Sequence, residues 1–446
     1  MKTLTSLCAF AVLVSGACRK SEDAAGKKPA EGSAAGSAGA APAKAASVEI
    51  AISCGSLGDE FDVCKEGAEA WATKTGNKVK VVTSPTSSSE KLAVAQQLLG
   101  AGASDIDVFS VDVVWPGILG SFFLDLKQYS KGVESEHFPS LVANGTVDGK
   151  LVAMPWYVDA GLLYYRKDLL DKHKEAVPTT WAQLTATAKK VQDAERKAGN
   201  KEMQGFVFQA KAYEGLTCNA LEWVASSGGG TVVEPDGKIS IDNPKAVKAI
   251  ELAASWFGEI TPTGALNFEE EESRTVFQSG NAVFMRNWPY AWAAAQDAKS
   301  PIKDKVGVAA LPRGEGDDTH PAATLGGWDL SVSKFSTHPA EAADLVLYLA
   351  SAAEQKRRAI RLGFHPTIPS LYSDKDILAA NPFFANLADT FKSAVPRPST
   401  VTAGKYNQVS AALWNAVHAA LAKQKPAKDA LGELATGLDR IKGPKW

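Results

Sequence analysis

Carboxylates and large aromatic side chains recur together at a few points of this chain. Asp59 and Glu60 stand in "CGSLGDEF", Asp112 in "DVFSVDVVW", Tyr157 and Asp159 in "PWYVDAG", and Trp288, Tyr290 and Trp292 in "FMRNWPYAW". Carboxylates accept directional hydrogen bonds from hydroxyl groups, and aromatic faces cover the C–H face of a ring. A site built from both suits a sugar. Each residue also has a local reading. Asp112 would cap the segment after it, and Trp156, Tyr157 and the aromatics of 288–292 would pack a junction between lobes. Taken singly the local reading is the better one; taken together at strand ends, the ligand reading is.

Other chemistry has less support. Glycines 228–230 lack the spacing of a phosphate or dinucleotide loop and read as a helix stop. The six histidines and five cysteines show no metal-ligand spacing, and no G-x-S-x-G elbow occurs. "EEEE" at 269–272 reads as a solvated cap on a helix N-terminus, where the helix dipole favours negative charge. No metal, cofactor or catalytic residue is therefore expected. The enzymatic alternative is a glycoside hydrolase, which also pairs carboxylates with aromatics.

The positioning elements alternate. "VEIAISC" (48–54), "KVKVVT" and "IDVFSVD" read as strands, separated by helical patterns in "DEFDVCKEGAEAWATKTG" and "SSSEKLAVAQQLLGAG". Phe61, Cys64, Ala68 and Trp71 share one helical face, and Gly76 stops that helix. The alternation restarts after "GKLVAMPWYVDAGLLYYR", with Thr180 and Gln183 as a capping box for a helix over 181–198 and Pro244 opening another. "NAVFMRN", "VGVAALP" and "WDLSVS" read as strands, followed by a long helix over 339–361 and a mainly helical remainder. Such alternation predicts α/β lobes with parallel sheets, and ligands of such sheets collect beyond the carboxyl ends of the strands. At 446 residues the chain exceeds the roughly 250 to 300 at which single cores stop growing, so more than one lobe is expected. A net charge of -2 offers no basic face for nucleic acid.

The N-terminus reads as an export signal over 1–17: Lys2, an apolar stretch from Leu4 to Val14, then Ser15, Gly16 and Ala17 before Cys18. The stretch is shorter than the about 20 residues a bilayer span needs. "LVSGAC" resembles a lipoprotein signal, which implies a lipid on Cys18; the alternative is a plain secretory signal. Residues 18–47 supply no core-forming side chains and read as a disordered tether. Cys54 and Cys64, ten apart in an exported chain, form either a disulfide or two packed thiols, and the disulfide is the preferred reading. Cys218 is expected to be free.

From about Val48 onward the chain resembles an ABC-transporter extracellular sugar-binding protein of the family 1 solute-binding lipoproteins, closest to the trehalose/maltose-binding branch. The resemblance rests on "DVFSVDVVW", "WYVDAGLLYYRKDLL", "YEGLTC", "FQSGNAVFMRNWPYAW", "VGVAALP", "TLGGW" and "AVPRP". It implies a two-lobe, type II periplasmic-binding-protein fold, each lobe a sheet flanked by helices, hinged around a cleft that closes on a disaccharide. By motif, the site would comprise Glu60 (with Asp59 as the alternative), Asp112, Tyr157, Asp159, Trp288, Tyr290, Gly327, Trp328 and Arg397. Crossings near Pro155, Trp288 and Ser331 would give 48–155 with 289–331 to the N-terminal lobe, and 156–288 with 332–446 to the C-terminal lobe. The expected partners are a disaccharide, a membrane permease and, through the lipid, a membrane; a monomer is expected. A sugar-sensing surface lipoprotein is the alternative within the same binding class.

Overall fold

The computed structural model describes residues 47–384, 390 and 394–446; the signal, Cys18 and the tether through residue 46 lie outside them. Eleven strands are described: β1 Glu49–Cys54, β2 Lys78–Thr83, β3 Val108–Asp112, β4 Thr146–Val147, β5 Lys150–Leu151, β6 Met154–Ala160, β7 Leu162–Arg166, β8 Gln204–Val207, β9 Ala282–Asn287, β10 Val306–Ala309 and β11 Leu325–Val332. They form a five-stranded sheet ordered β2-β1-β3-β11-β6, a four-stranded sheet ordered β10-β7-β9-β8, and the small β4-β5 pair.

The alternating segment before residue 112 folds as its pattern dictates. β1 pairs in parallel with both β2 and β3, and its Ile50, Ile52 and Cys54 are fully buried. The helix Glu60–Thr75 lays Val63, Cys64, Ala68 and Trp71 against this sheet, and Gly76 ends it in a left-handed cap at φ 79°. Burying one such Val or Leu side chain stabilises the fold by roughly 1.5–3 kcal/mol. The expectation of purely parallel sheets is corrected by β11, which runs antiparallel to both β3 and β6, and by β7, antiparallel to β9 and β10. Both sheets are mixed because the chain returns to the first after building the second.

That return also moves the expected crossings. β6 lies wholly in the first sheet, so the chain leaves it at Gly161 rather than Pro155. It does not cross back at Trp288: the helix Tyr290–Gln296 buries Ala291 and Ala295 with strands β7 and β9, and β10 pairs with β7. Re-entry comes between β10 and β11. The helix Pro339–Ala350, assigned to the C-terminal lobe from the sequence, packs Leu345, Val346 and Leu349 into the core under the first sheet. The long helix expected over 339–361 is two, Pro339–Ala350 and Ala352–Leu362, parted at Ser351, whose extended backbone (φ -64°, ψ 155°) cannot continue a helix. Thr180 caps its helix through Gln183 N–H, but the Gln183 side chain reaches Thr179 N–H instead of closing the expected box.

Candidate functional site

The first-sheet residues of the site sit where strands end or bulge. Glu60 opens the helix after β1 and turns back over its own loop. Its Oε2 comes so near Gly55 that a Cβ there would lie 1.9 Å from it, so a side chain at residue 55 would displace the Glu60 carboxylate. Glu60 is buried and accepts a 2.6 Å hydrogen bond from the Tyr157 hydroxyl, while Asp59 is exposed. Tyr157 stacks on Phe364, ring centroids 4.0 Å apart. Asp112 ends β3. Asp159, two residues beyond Tyr157 in β6, is 6 % exposed and its Oδ1 has no hydrogen-bond partner among the described residues. Burial and the neighbouring Glu60 carboxylate push the Asp159 carboxyl well above the usual range.

β11 supplies the "GGW" turn of the wall. Gly327 adopts φ +125° and a Cβ there would stand 2.4 Å from the Tyr157 carbonyl oxygen, so both conformation and space demand glycine. Trp328 pairs opposite Asp112 of β3, and the register of β11 against β6 shifts between Trp328 and Asp329. Trp328 meets Trp115 edge to face, and the Lys91 ammonium lies 4.3 Å from its ring centre.

The second sheet brings the remainder. Trp288 follows β9, its ring stacked on the Arg286 guanidinium at 3.9 Å and its Nε1–H donated to Glu270. Arg286 is 1 % exposed and forks onto Glu222 through Nε and Nη2, at 2.9 and 2.5 Å. Tyr290 donates to Glu271. Trp292, the third aromatic of the motif, points elsewhere: it donates to the Ala380 carbonyl and packs on Phe383. Arg397 joins the two sides. Its Nη2 donates to Asp112 at 2.7 Å and its Nη1 to Glu214 at 2.8 Å, all three side chains being buried.

All nine residues named from the sequence line one cleft of about 580 Å³. Several neighbours were not anticipated. Glu214 heads the helix Glu214–Ser226 and also accepts from Ser410 and Tyr406; burial raises its carboxyl, against the pull of Arg397. It follows β8, so the strand-end rule that selected Asp112 also points to it. Glu270 corrects the solvated-cap reading of "EEEE": Glu269 does make a capping box, but Glu270 is buried and accepts from both Tyr213 and Trp288. Burial raises its carboxyl in spite of those hydrogen bonds. Cys218 and Phe364 also line the cleft. Cys54 and Cys64 are joined by a disulfide that ties the end of β1 to the first turn of the Glu60 helix. Among the described residues no cluster of three metal-ligating side chains occurs, and no helix is long and apolar enough to cross a membrane.

Two mixed sheets flanked by helices, with a polar, aromatic-walled cleft where their strands end, define an α/β periplasmic-binding-protein fold. The chain belongs to the bacterial extracellular solute-binding protein family, whose model matches residues 55–356 and which is not catalytic. It is 53% identical over 409 residues, 91% of this chain and 97% of the other, to a probable ABC transporter-binding protein of Deinococcus radiodurans. Maltose-bound MalE3 of T. maritima superposes with a TM-score of 0.83 at 40% identity, covering 89% of this chain and all of the other. The GacH receptor of Streptomyces glaucescens shares the fold, with a TM-score of 0.78 at 22% identity over 90% of this chain and all of that one.

Proposed function

We infer that this protein captures a disaccharide of the trehalose or maltose kind in the cleft and hands it to an ABC-type membrane permease. The observation that carries the reading is the convergence of Glu60, Asp112, Asp159, Trp288, Trp328 and Arg397 on one cavity. Carboxylates facing one another across two tryptophan faces provide acceptors for ring hydroxyls and flat surfaces for ring C–H groups. The likeness to a maltose-bound protein at 40% identity supports the sugar class, and the likeness to a probable transporter-binding protein supports the role in uptake. In this reading the two sheets are the cores of two lobes that close over the ligand, and a lipid on Cys18 tethers the fold to a membrane.

A thermal-shift screen against trehalose, maltose and sucrose tests the ligand. A sugar at 100 times its dissociation constant should stabilise the fold by about 2.7 kcal/mol. No shift with any of them would remove the disaccharide reading. Cys18→Ser should release the protein from membranes with binding intact, and continued sedimentation with membranes would remove the anchor.

A further inference from the structure

A sugar hydroxyl that gives its proton to a carboxylate still needs a donor for its own oxygen. The cleft is rich in acceptors, and its strong donors are already engaged. Arg397 spends Nη1 and Nη2 on Glu214 and Asp112, Trp288 spends Nε1 on Glu270, and Tyr157 spends its hydroxyl on Glu60. Among the side chains that line the cleft, what remains is Arg397 Nε and the neutral hydroxyls of Thr86 and Ser88; outside that lining, over Trp328, stands one ammonium, Lys91.

Lys91 projects from the helix Ser88–Gly100 and is 5 % exposed. Its charge lies over the back of Trp328, with no hydrogen bond or ion pair among the described residues. The side chain lines a second pocket, walled largely by apolar groups such as Val82, Leu98 and Phe109. A cation held this way has given up most of its hydration for a ring face and the more distant field of Glu60, Glu270 and Asp112. A flexible four-carbon stem and the space of that pocket let it move.

Resting on the disaccharide reading above, we propose that Lys91 is a specificity-determining residue of the cleft, swinging from Trp328 to donate to a hydroxyl oxygen of the bound sugar. Resting on Trp328, the same lysine supports that wall of the cleft.

Calorimetric titration of wild type, Lys91→Met and Lys91→Arg with maltose and trehalose tests this. Lys91→Met, close in volume but without a donor, should bind about tenfold or more weakly, the range of a hydrogen bond to a charged group. Its melting temperature should hold, since no ion pair is lost. Lys91→Arg should recover part of the affinity. The pH profile gives an independent readout. Burial lowers the Lys91 pKa, while Glu60, Glu270 and Asp112 oppose that shift. Wild-type affinity should then decline as pH rises toward the lysine range, and Lys91→Met should lack this decline. Asp329, behind the same wall and pushed up to about 8, titrates in both proteins and cancels in the comparison. If Lys91→Met failed to fold, the wild-type profile and Lys91→Arg would decide. Equal affinity of wild type and Lys91→Met, with parallel pH profiles, overturns the assignment of Lys91 alone. Absence of binding by the wild type to any disaccharide overturns the sugar reading, and this proposal with it.

Discussion

The two tryptophan walls of the cleft are built on the same plan and fixed to very different degrees. Trp288 has the Arg286 guanidinium on its ring at 3.9 Å, and Trp328 has the Lys91 ammonium at 4.3 Å. Arg286 is locked: Glu222 takes two of its nitrogens, Gln209 accepts from the third at 3.1 Å, and Thr324 N–H holds the same Glu222 oxygen that Nη2 meets. Among the described residues Lys91 has only the ring and, farther off, the field of Glu60, Glu270 and Asp112. A planar fork with fixed partners preorganises a surface; a point charge on a flexible stem leaves one adjustable. One wall is a fixed platform, the other a wall that can answer to its ligand.

The largest effect should come from breaking the locked side. Arg286→Met leaves Glu222, itself 1 % exposed, as a buried charge without its partner. Losing one member of such a pair typically costs about 3–5 kcal/mol of stability. Lys91→Met removes an unpaired cation and should cost less than about 1 kcal/mol on the same reasoning. Denaturant unfolding of both variants measures the contrast, and equal losses would erase the distinction between the walls.

Next in size is the ligand's share. Trp288→Ala should weaken sugar binding by at least about 2 kcal/mol, the scale of a buried aromatic anchor, or roughly thirtyfold at about 1.4 kcal/mol per decade. Trp328→Ala should cost about half as much on that scale, because Lys91 can follow into the space and keep donating. Affinity measured on the two variants in one buffer decides; a larger loss at Trp328 would reverse the roles of the walls.

Much of this site was legible in the sequence, for a physical reason. Strand ends are marked by where an apolar run stops, so Asp112, Asp159 and Trp288 could be placed by local pattern alone. Glu270 could not. A glutamate at a helix start reads as solvated because nothing in the neighbouring residues shows that Tyr213 and Trp288, respectively 57 and 18 positions away, will bury it. The crossings failed for the same reason. Whether β10 joins one sheet or the other depends on pairing with β7, some 140 residues earlier in the chain, and a four-residue apolar strand carries no mark of its partner. Arg397 was placed only through the likeness of its "AVPRP" motif, since no periodicity surrounds it.

A pH effect is expected at the back of the adjustable wall. Asp329 follows Trp328 in β11, is 3 % exposed, and its Oδ2 has no hydrogen-bond partner among the described residues. Burial, with the Asp112 carboxylate nearby, pushes it up to about 8. In the unfolded chain an aspartate loses its proton near pH 4. Between about pH 4 and 8 the native protein therefore holds a proton that the unfolded chain has released, and stability falls as pH rises through that window. Asp329→Asn has no such proton to hold. The difference in unfolding free energy between variant and wild type should grow in favour of the variant from pH 4 to pH 8 and then level. Other groups titrate in both proteins and drop out of the difference. A difference flat across that range would mean that Asp329 is ionised in the folded state, and that the wall behind Trp328 is more polar than its burial indicates.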